Sequence, residues 1–502
     1  MYHPTLEEFK RLSKEGNLIP VYKEILADLE TPVSAFWKIS KDSDYAYLLE
    51  SVEGGEKLGR YSFLGADPNA VFKCQGEKVT VERDGEIEES EIREEDPLTY
   101  LKKLMDNFHP VQVKELRRFY GGAVGYIGYD YVRHLEKIPD KKSDELGLPE
   151  ILFVFTDTIL IFDHVNHTIK VVSNAYIEDS VDKAYDEAIR KIEGIMAKLR
   201  EPLLLGPDTP GIHEWGEMSD IKIESNLTKH EYMKSVEKAK EYIRAGDIFQ
   251  VVLSQRFRVS VSTSPFSIYR ALRRINPSPY MYYLKYKDSV ILGSSPEILV
   301  RVDGNVAEVR PIAGTRPRGK EEEEDEAYIK DLLADPKERA EHIMLVDLGR
   351  NDLGRVCEYG SICIPELMII EKYSHVMHIV SSIKGKVKSR YSSADVLRAC
   401  FPAGTLTGAP KIRAMEIIDE LEPVKRGPYG GCVGYFSFSG NIDTCITIRT
   451  IVFKEGMAYI QAGAGIVLDS DPAREYDETR NKAEALIKAI RMAKRDWNDF
   501  TN

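Results

Sequence analysis

The clearest pattern of apolar and polar positions lies in the second half of the chain. Thr228 and Glu231 have the spacing of a capping box, in which each side chain satisfies the other's backbone N–H. The box predicts a helix running to about Ala245, with Gly246 closing it. "IFQVVLSQRFRVSV" (248–261) then reads as a strand and "SPFSIYRALRRIN" (264–276) as a short helix. "YMYYLKYKDSVILGSSPEILVRVDGNVAEVRPI" (280–312) holds three strand-like runs, with turns at Lys287-Asp288 and Asp303-Gly304. Helix follows from about Glu322 to Leu353. The end repeats the scheme: helix 410–420, strands 431–438, 443–453 and 457–462, then helix 472–494. The first 200 residues have the same mixture, with strand runs near 45–51, 60–64, 70–82, 151–162 and 168–173 and helices near 5–13 and 180–199. Hairpins with helices between them, rather than strict strand–helix alternation, predict an α+β fold of antiparallel sheets covered by helices.

"PLLLGPDTPGIHEWGEMSDIKIESN" (202–226) is rich in Pro and Gly and lacks periodicity, so it reads as a connection. It divides the chain into an N-terminal region, 1–200, a linker, 201–225, and a C-terminal domain, 226–495. No tandem repeat is evident. The acidic run "EEEEDE" (321–326) reads as a solvated helix start, where negative charge is favoured.

Composition narrows the classes. The chain has 502 residues, 43% hydrophobic and 30% charged, as a globular protein has. A net charge of −13 argues against a general binder of nucleic acid or anionic membrane. "MYHPTLEEFKRLSKEG" has no apolar core of a secretory leader, and no run approaches the roughly 18 apolar residues of a membrane helix. The six cysteines show neither CxxC nor zinc spacing and read as reduced, mostly buried thiols. These features predict a soluble cytoplasmic protein.

Two carboxylate pairs carry the candidate chemistry. Asp335-Pro336 and Asp471-Pro472 each join a capping acid to a proline suited to the first helical position. Glu338 and Glu341 follow the first, Glu475 and Glu478 the second, so each pair spans one turn near a positive helix end. They read either as ordinary helix-start acids or as four oxygen donors converging on one hard cation, with magnesium suiting the set better than zinc. "AGAG" (462–465) is not a dinucleotide fingerprint, because Leu468 stands where a third glycine is required. "GTLTGAPK" (404–411) is not a phosphate-binding Walker loop. Both are read as tight turns or as backbone N–H groups facing an anion.

Five stretches together carry a resemblance: "PIAGTRPRG" (311–319), "ERAEHIMLVDLGRNDLGRV" (338–356), "FPAGTLTGAPKIRAMEIIDELEP" (401–423), "RGPYGGCVGYFSFSGNIDTCITIRT" (426–450) and "QAGAGIVLDSDPAREYDETRNKA" (461–483). With them the chain resembles the chorismate-utilising enzymes, most closely their anthranilate-forming component I branch. The strong match spans roughly 226–495, and "LLES" (48–51) and "RYSFLG" (60–65) extend it. The resemblance implies a sandwich of antiparallel sheets and conversion of chorismate and ammonia to anthranilate and pyruvate, the first committed step toward tryptophan. It implies Mg2+, with Glu341 and Glu478 as ligands and Glu338 and Glu475 as supporting acids. Chorismate is expected to meet Gly314, Thr315, Tyr429, Arg449, Gly463, Ala464, Gly465 and Lys482. Glu297 matches the general acid and His378 the residue tied to elimination, with Thr405 lining the same site. Tryptophan is expected to inhibit at Leu49, Glu50, Ser51, Asn276, Pro279, Tyr280 and Met281.

Two positions discriminate within the family. Aminodeoxychorismate synthases carry a nucleophilic lysine where this chain has Ala313, which cannot form a covalent intermediate. Isochorismate-forming members use a lysine base at the position that aligns with Gln250. The alternatives to the anthranilate branch are therefore an aminodeoxychorismate synthase component or a non-catalytic subunit binding chorismate or tryptophan. The former is disfavoured by Ala313, the latter by the intact acids and His378. None of the six cysteines is read as lying in the G-x-C-x-G nucleophile elbow of a glutamine amidotransferase. The resemblance thus implies a separate glutamine amidotransferase subunit, component II, in a heterotetramer of two large and two small subunits.

Overall fold

The computed structural model describes residues 1–51, 59–83, 85–92, 95–116, 118–203, 221–319, 321–373 and 376–498. Residues 204–220, most of the expected linker, lie outside the described residues. The expected α+β architecture is present. Strands form two antiparallel 12-stranded sheets, and helices cover their outer faces. Leu18–Leu26 and Ile223–Ser225 are the ends of the first sheet, and Ile312–Pro317 and Glu86–Glu91 are those of the second.

Three apolar layers hold this arrangement. Between the sheets lie Tyr47, Tyr282 and Ile291 from one and Val124, Val154 and Tyr435 from the other. Outside the first sheet, Ile268, Leu272, Leu486 and Ile490 belong to the layer of helices Pro265–Ile275 and Pro472–Asn498. Outside the second, helices Pro336–Gly354 and Ser393–Cys400 contribute Val346 and Leu397, and helix Lys411–Leu421, packed on strand Gln250–Ser260 of the first sheet, adds Ile417 to the same cluster. Strand Tyr280–Tyr286 shows how its near-continuous apolar run arises. Met281 and Tyr283 face the helices while Tyr282, Leu284 and Tyr286 face the other sheet, so both faces of the period-2 pattern are dry.

The two regions on either side of the linker are woven together. Strand Ala46–Glu50 pairs with Tyr280–Tyr286, and Gly122–Ile127 pairs with Cys432–Ser437. Each sheet thus draws strands from both regions.

Several elements follow the sequence closely. Thr228 caps Lys229–Ala245 with both halves of the capping box, and Gly246 closes it at φ 83°. The helix expected over 322–353 is two helices, Glu322–Ala334 and Pro336–Gly354, because Asp335 ends one and caps the next. Three expected single strands are also pairs. Residues 70–82 divide into Ala70–Gln75 and Lys78–Arg83, a hairpin within the second sheet. Residues 151–162 divide into Ile151–Thr156 in one sheet and Thr158–Asp163 in the other. Residues 443–453 divide into Ile442–Ile446 and Thr450–Lys454, again in opposite sheets. Arg449, at φ 50°, lies in the second crossover.

Candidate functional site

The crossover places Arg449 where the two sheets part. Its guanidinium is half-buried and makes no hydrogen bond or ion pair among the described residues. Burial lowers its pKa, while Tyr429 and Glu478 favour its charged form. A largely desolvated cation without a partner is costly unless an anion joins it.

Tyr429 stands beside Arg449 and is held from below. The buried Arg426 guanidinium lies 4.6 Å from the Tyr129 ring and 5.5 Å from that of Tyr429. Arg426 donates to Leu406 O at 2.7 Å, to Val252 O at 2.8 Å and to Glu422 at 2.6 and 2.9 Å. It thereby ties the Thr405 turn, strand Gln250–Ser260 and Tyr429 into one rigid floor. The sequence reading passed over Arg426, although it opens one of the quoted stretches. Its spacing does not distinguish it from a surface arginine.

The glycine segment is strand, not loop. Gly463, Ala464 and Gly465 lie within Met457–Ile466 and pair with Ser254, Leu253 and Val252. The hairpin partner Thr450–Lys454 reaches only as far as Ile460, so beyond it this strand is sheet-paired on one side. The glycines also permit close approach. A Cβ on Gly463 would lie 2.8 Å from the Tyr429 hydroxyl, and one on Gly465 2.7 Å from Gln250 Nε2.

Both acidic pairs border this strand. Asp335 accepts the Lys337 and Glu338 N–H groups at 2.9 and 3.3 Å, and Asp471 accepts that of Arg474 at 2.9 Å. Gln250 Nε2 donates to Glu341 Oε1 at 2.9 Å. Lys482 Nζ lies 2.7 Å from Glu478 and donates to Gly463 O at 3.0 Å. Burial first, then the charge of Glu341, raises the pKa of Glu338. Burial likewise raises that of Glu475, with Glu478 adding to the effect and Lys337 from the other helix opposing it. Among the described residues, no three of these four carboxylates bring oxygens within 4.8 Å of one another. Glu341 is held by Gln250 and Glu478 by Lys482, each on its own side. The donor set is oxygen alone and of one sign, which suits a hard divalent cation with part of its shell left to water or substrate.

Across the site stand Glu297 and His378. Glu297 is buried, and desolvation pushes its pKa up to about 8 against the opposing effects of the Thr405 hydroxyl and Ile312 N–H. The buried Thr405 hydroxyl makes no conventional hydrogen bond among the described residues. Strand Ile312–Pro317 carries a bulge at Gly314, whose φ is +70°. The bulge turns the Gly314 carbonyl toward His378, whose Nδ1 lies 3.0 Å away, with the Thr315 hydroxyl at 3.1 Å. An Nδ1–H donated to that carbonyl leaves Nε2 with a lone pair. Burial and the nearby Arg449 charge lower the His378 pKa, so the neutral ring is favoured. One site therefore gathers an acid protonated at neutral pH, a neutral imidazole, an unpaired guanidinium and four carboxylates.

Residues 44–488 match the family model of chorismate binding enzymes. The chain belongs to the chorismate-binding enzymes. Within the family, it is 51% identical to anthranilate synthase component 1 of Acetivibrio thermocellus over 494 residues, 98% of this chain and 99% of that one. The crystal structure of anthranilate synthase component I from Streptococcus pneumoniae TIGR4 matches with TM-score 0.76 at 36% identity, covering 92% of this chain and 98% of that one. A menaquinone-specific isochorismate synthase from Escherichia coli shares the fold, with TM-score 0.69 at 19% identity and coverage of 97% and 98%.

A second cavity, of about 80 Å³, lies between the sheets of this chorismate-binding enzyme. Leu49, Glu50, Ser51, Pro279, Tyr280 and Met281 line it, joined by Phe63, Gly434, Tyr435 and Cys445. Glu50 is buried. Its Oε2 accepts from Tyr269 OH at 2.6 Å and Arg273 Nε at 3.2 Å, while Oε1 has no partner. Asn276 is not in the lining, and its amide donates to Ser294 Oγ at 2.7 Å.

One cysteine does have the G-x-C-x-G spacing of an amidotransferase elbow: Cys432, between Gly430 and Gly434. The fold denies it that role. Cys432 begins strand Cys432–Ser437, is 1% exposed, and burial holds its thiol pKa far above the ordinary value. Five of the six cysteines are buried and all six are free, with only Cys363 exposed. No helix among the described residues is long and apolar enough to cross a membrane.

Proposed function

We propose that this chain is component I of an anthranilate synthase, converting chorismate and ammonia to anthranilate and pyruvate. The observation that carries the reading is the unpaired Arg449 guanidinium, which lies within electrostatic reach of Tyr429, Glu478 and His378. It is what a substrate carrying two carboxylates and losing a hydroxyl requires. Arg449 and the Tyr429 hydroxyl would hold the enolpyruvyl carboxylate, and the open edge of the Gly463–Gly465 segment would orient the ring. Glu341 and Glu478, supported by Glu338 and Glu475, would hold Mg2+, which supplies positive charge for the ring carboxylate when bound.

In the first step ammonia attacks ring carbon two, the ring double bonds shift, and the hydroxyl on carbon four leaves as water. Glu297 donates that proton, and its raised pKa keeps it in the acid form at neutral pH. In the second step His378 Nε2 removes the proton from carbon two. The carbon–oxygen bond to the enolpyruvyl group breaks, pyruvate leaves, and the ring becomes aromatic. Ala313 and Gln250 supply neither a nucleophile nor a base, and ammonia needs neither.

Two further features support the reading. Glu50, whose buried Oε1 is unpaired among the described residues, borders an aromatic-lined cavity, as an inhibitory tryptophan would require of its ammonium and indole sites. The burial of Cys432 leaves ammonia supply to a glutamine amidotransferase partner, component II, in a cytoplasmic assembly of two large and two small subunits. The test is fluorescence of the purified chain with chorismate, magnesium and excess ammonium at mildly alkaline pH. Anthranilate emission that is lost with EDTA supports the reading. Chorismate consumption without that emission refutes the anthranilate branch.

A further inference from the structure

A third cluster of ligating side chains lies apart from both sites. Cys74 ends strand Ala70–Gln75 next to its last residue, His134 sits in the short helix Val132–Leu135, and Glu150 immediately precedes strand Ile151–Thr156. The register pairs Cys74 with Ile151, which brings Glu150 alongside the thiol. Gly128 N–H donates to Glu150 O at 2.7 Å and thereby draws in the turn that carries His134. Cys74 Sγ, a His134 ring nitrogen and a Glu150 oxygen all lie within 4.8 Å of one another. His134 Nε2 is 2.9 Å from Glu150 Oε2, and the imidazole packs on the Tyr131 ring at 5.8 Å.

We propose that Cys74, His134 and Glu150 bind a thiophilic divalent metal ion of the zinc class. Three mixed sulfur, nitrogen and oxygen donors with a water as fourth ligand make a normal zinc shell. Ligand atoms around tetrahedral zinc stand about 3.3–3.7 Å apart, so the His134–Glu150 contact need open by only some tenths of an ångström. Cys74 is fully buried, whereas His134 and Glu150 side chains are 19% and 12% exposed, which gives an ion its way in. The thiol's ordinary partner is weak, since among the described residues its one hydrogen bond is to Gly76 O at 3.3 Å.

The site has a structural consequence. The turn that carries His134 also carries Tyr129 and Asp130. Tyr129 N–H donates to Gly427 O at 2.7 Å, and Asp130 Oδ2 accepts Gly427 N–H at 2.8 Å. A bound ion would clamp this turn to two strands of the second sheet, and through Gly427 it would brace the segment leading to Tyr429.

The test is cobalt titration of the full-length chain, freed of transition metals and kept in magnesium. One equivalent of Co2+ should produce a near-ultraviolet thiolate-to-cobalt charge-transfer band that Zn2+ abolishes. Cys74→Ser should lose the band, and Cys363→Ser, which alters the one exposed thiol, should keep it. If Cys74→Ser does not fold, His134→Ala should weaken Zn2+ binding at least tenfold in competition with a chelating dye. Absence of the band in the unaltered chain, its survival in Cys74→Ser, its loss in Cys363→Ser, or unchanged affinity in His134→Ala would each overturn the proposal.

Discussion

Glu297 offers the sharpest test, because one substitution should move stability and activity in opposite directions. Its carboxyl has an ordinary pKa of 4.5 and one of about 8 in the fold, and desolvation is the chief cause. The pKa is raised, so the unfolded chain ionises first. Between 4.5 and 8 the unfolded state holds fewer protons than the native state, and stability falls as pH rises, levelling off above 8. At 1.36 kcal/mol per unit, the total loss is about 5 kcal/mol, of which about 3 kcal/mol accrues between pH 6 and pH 9. Glu297→Gln keeps the shape and removes the ionisation. Its stability relative to the unaltered chain should therefore rise by about 3 kcal/mol from pH 6 to pH 9, or about 3 °C in Tm for a cooperative unit of this size. Activity should fall about 10²–10⁴-fold, the usual contribution of a proton donor. The assays are thermal unfolding followed by circular dichroism at both pH values, and anthranilate fluorescence normalised to free ammonia. A Tm difference that does not change with pH would refute the raised pKa, and retained activity would refute the acid role.

The other predictions follow from the same geometry. Arg449→Gln should raise the KM for chorismate about 10–100-fold, the worth of a charge-assisted hydrogen bond, while leaving Tm unchanged or higher because an unpaired cation is gone; steady-state kinetics and a melt check both. Gly314→Ala should cost about 1–2 kcal/mol, since φ is +70° and the new Cβ would meet Leu332 Cδ1 at 3.0 Å and Glu338 Oε2 at 3.1 Å, and kcat/KM should drop with it. Ser51→Phe should fill the Glu50 cavity and abolish tryptophan inhibition while ammonia-dependent turnover continues, so a variant that stays sensitive would place the inhibitor elsewhere. EDTA should stop turnover and excess Mg2+ restore it, whereas activity that persists in EDTA would leave the carboxylate pairs as helix-start acids.

The sequence by itself determined the local elements whose cause is local. The Thr228–Glu231 box, the Gly246 stop and the Asp335-Pro336 start are each decided within a few residues, and each stands in the structure. Motif content also sufficed to establish the family, because five long stretches in order carry more information than any single spacing. What only the tertiary structure decided depends on pairing between distant segments. A run such as 443–453 is equally apolar whether it stays in one sheet or crosses to another, so the crossover that exposes Arg449 left no mark on its pattern. The Gly463–Gly465 segment looked like a loop because glycine permits one, yet a strand partner at 252–254 fixed it as extended chain. Arg426 and Glu50 carry no sign of burial in their own residue types. Their protonation and partners follow from which sheets close over them, and that is a property of packing, where the cost of an unpaired charge in a dry interior depends on neighbours hundreds of residues away.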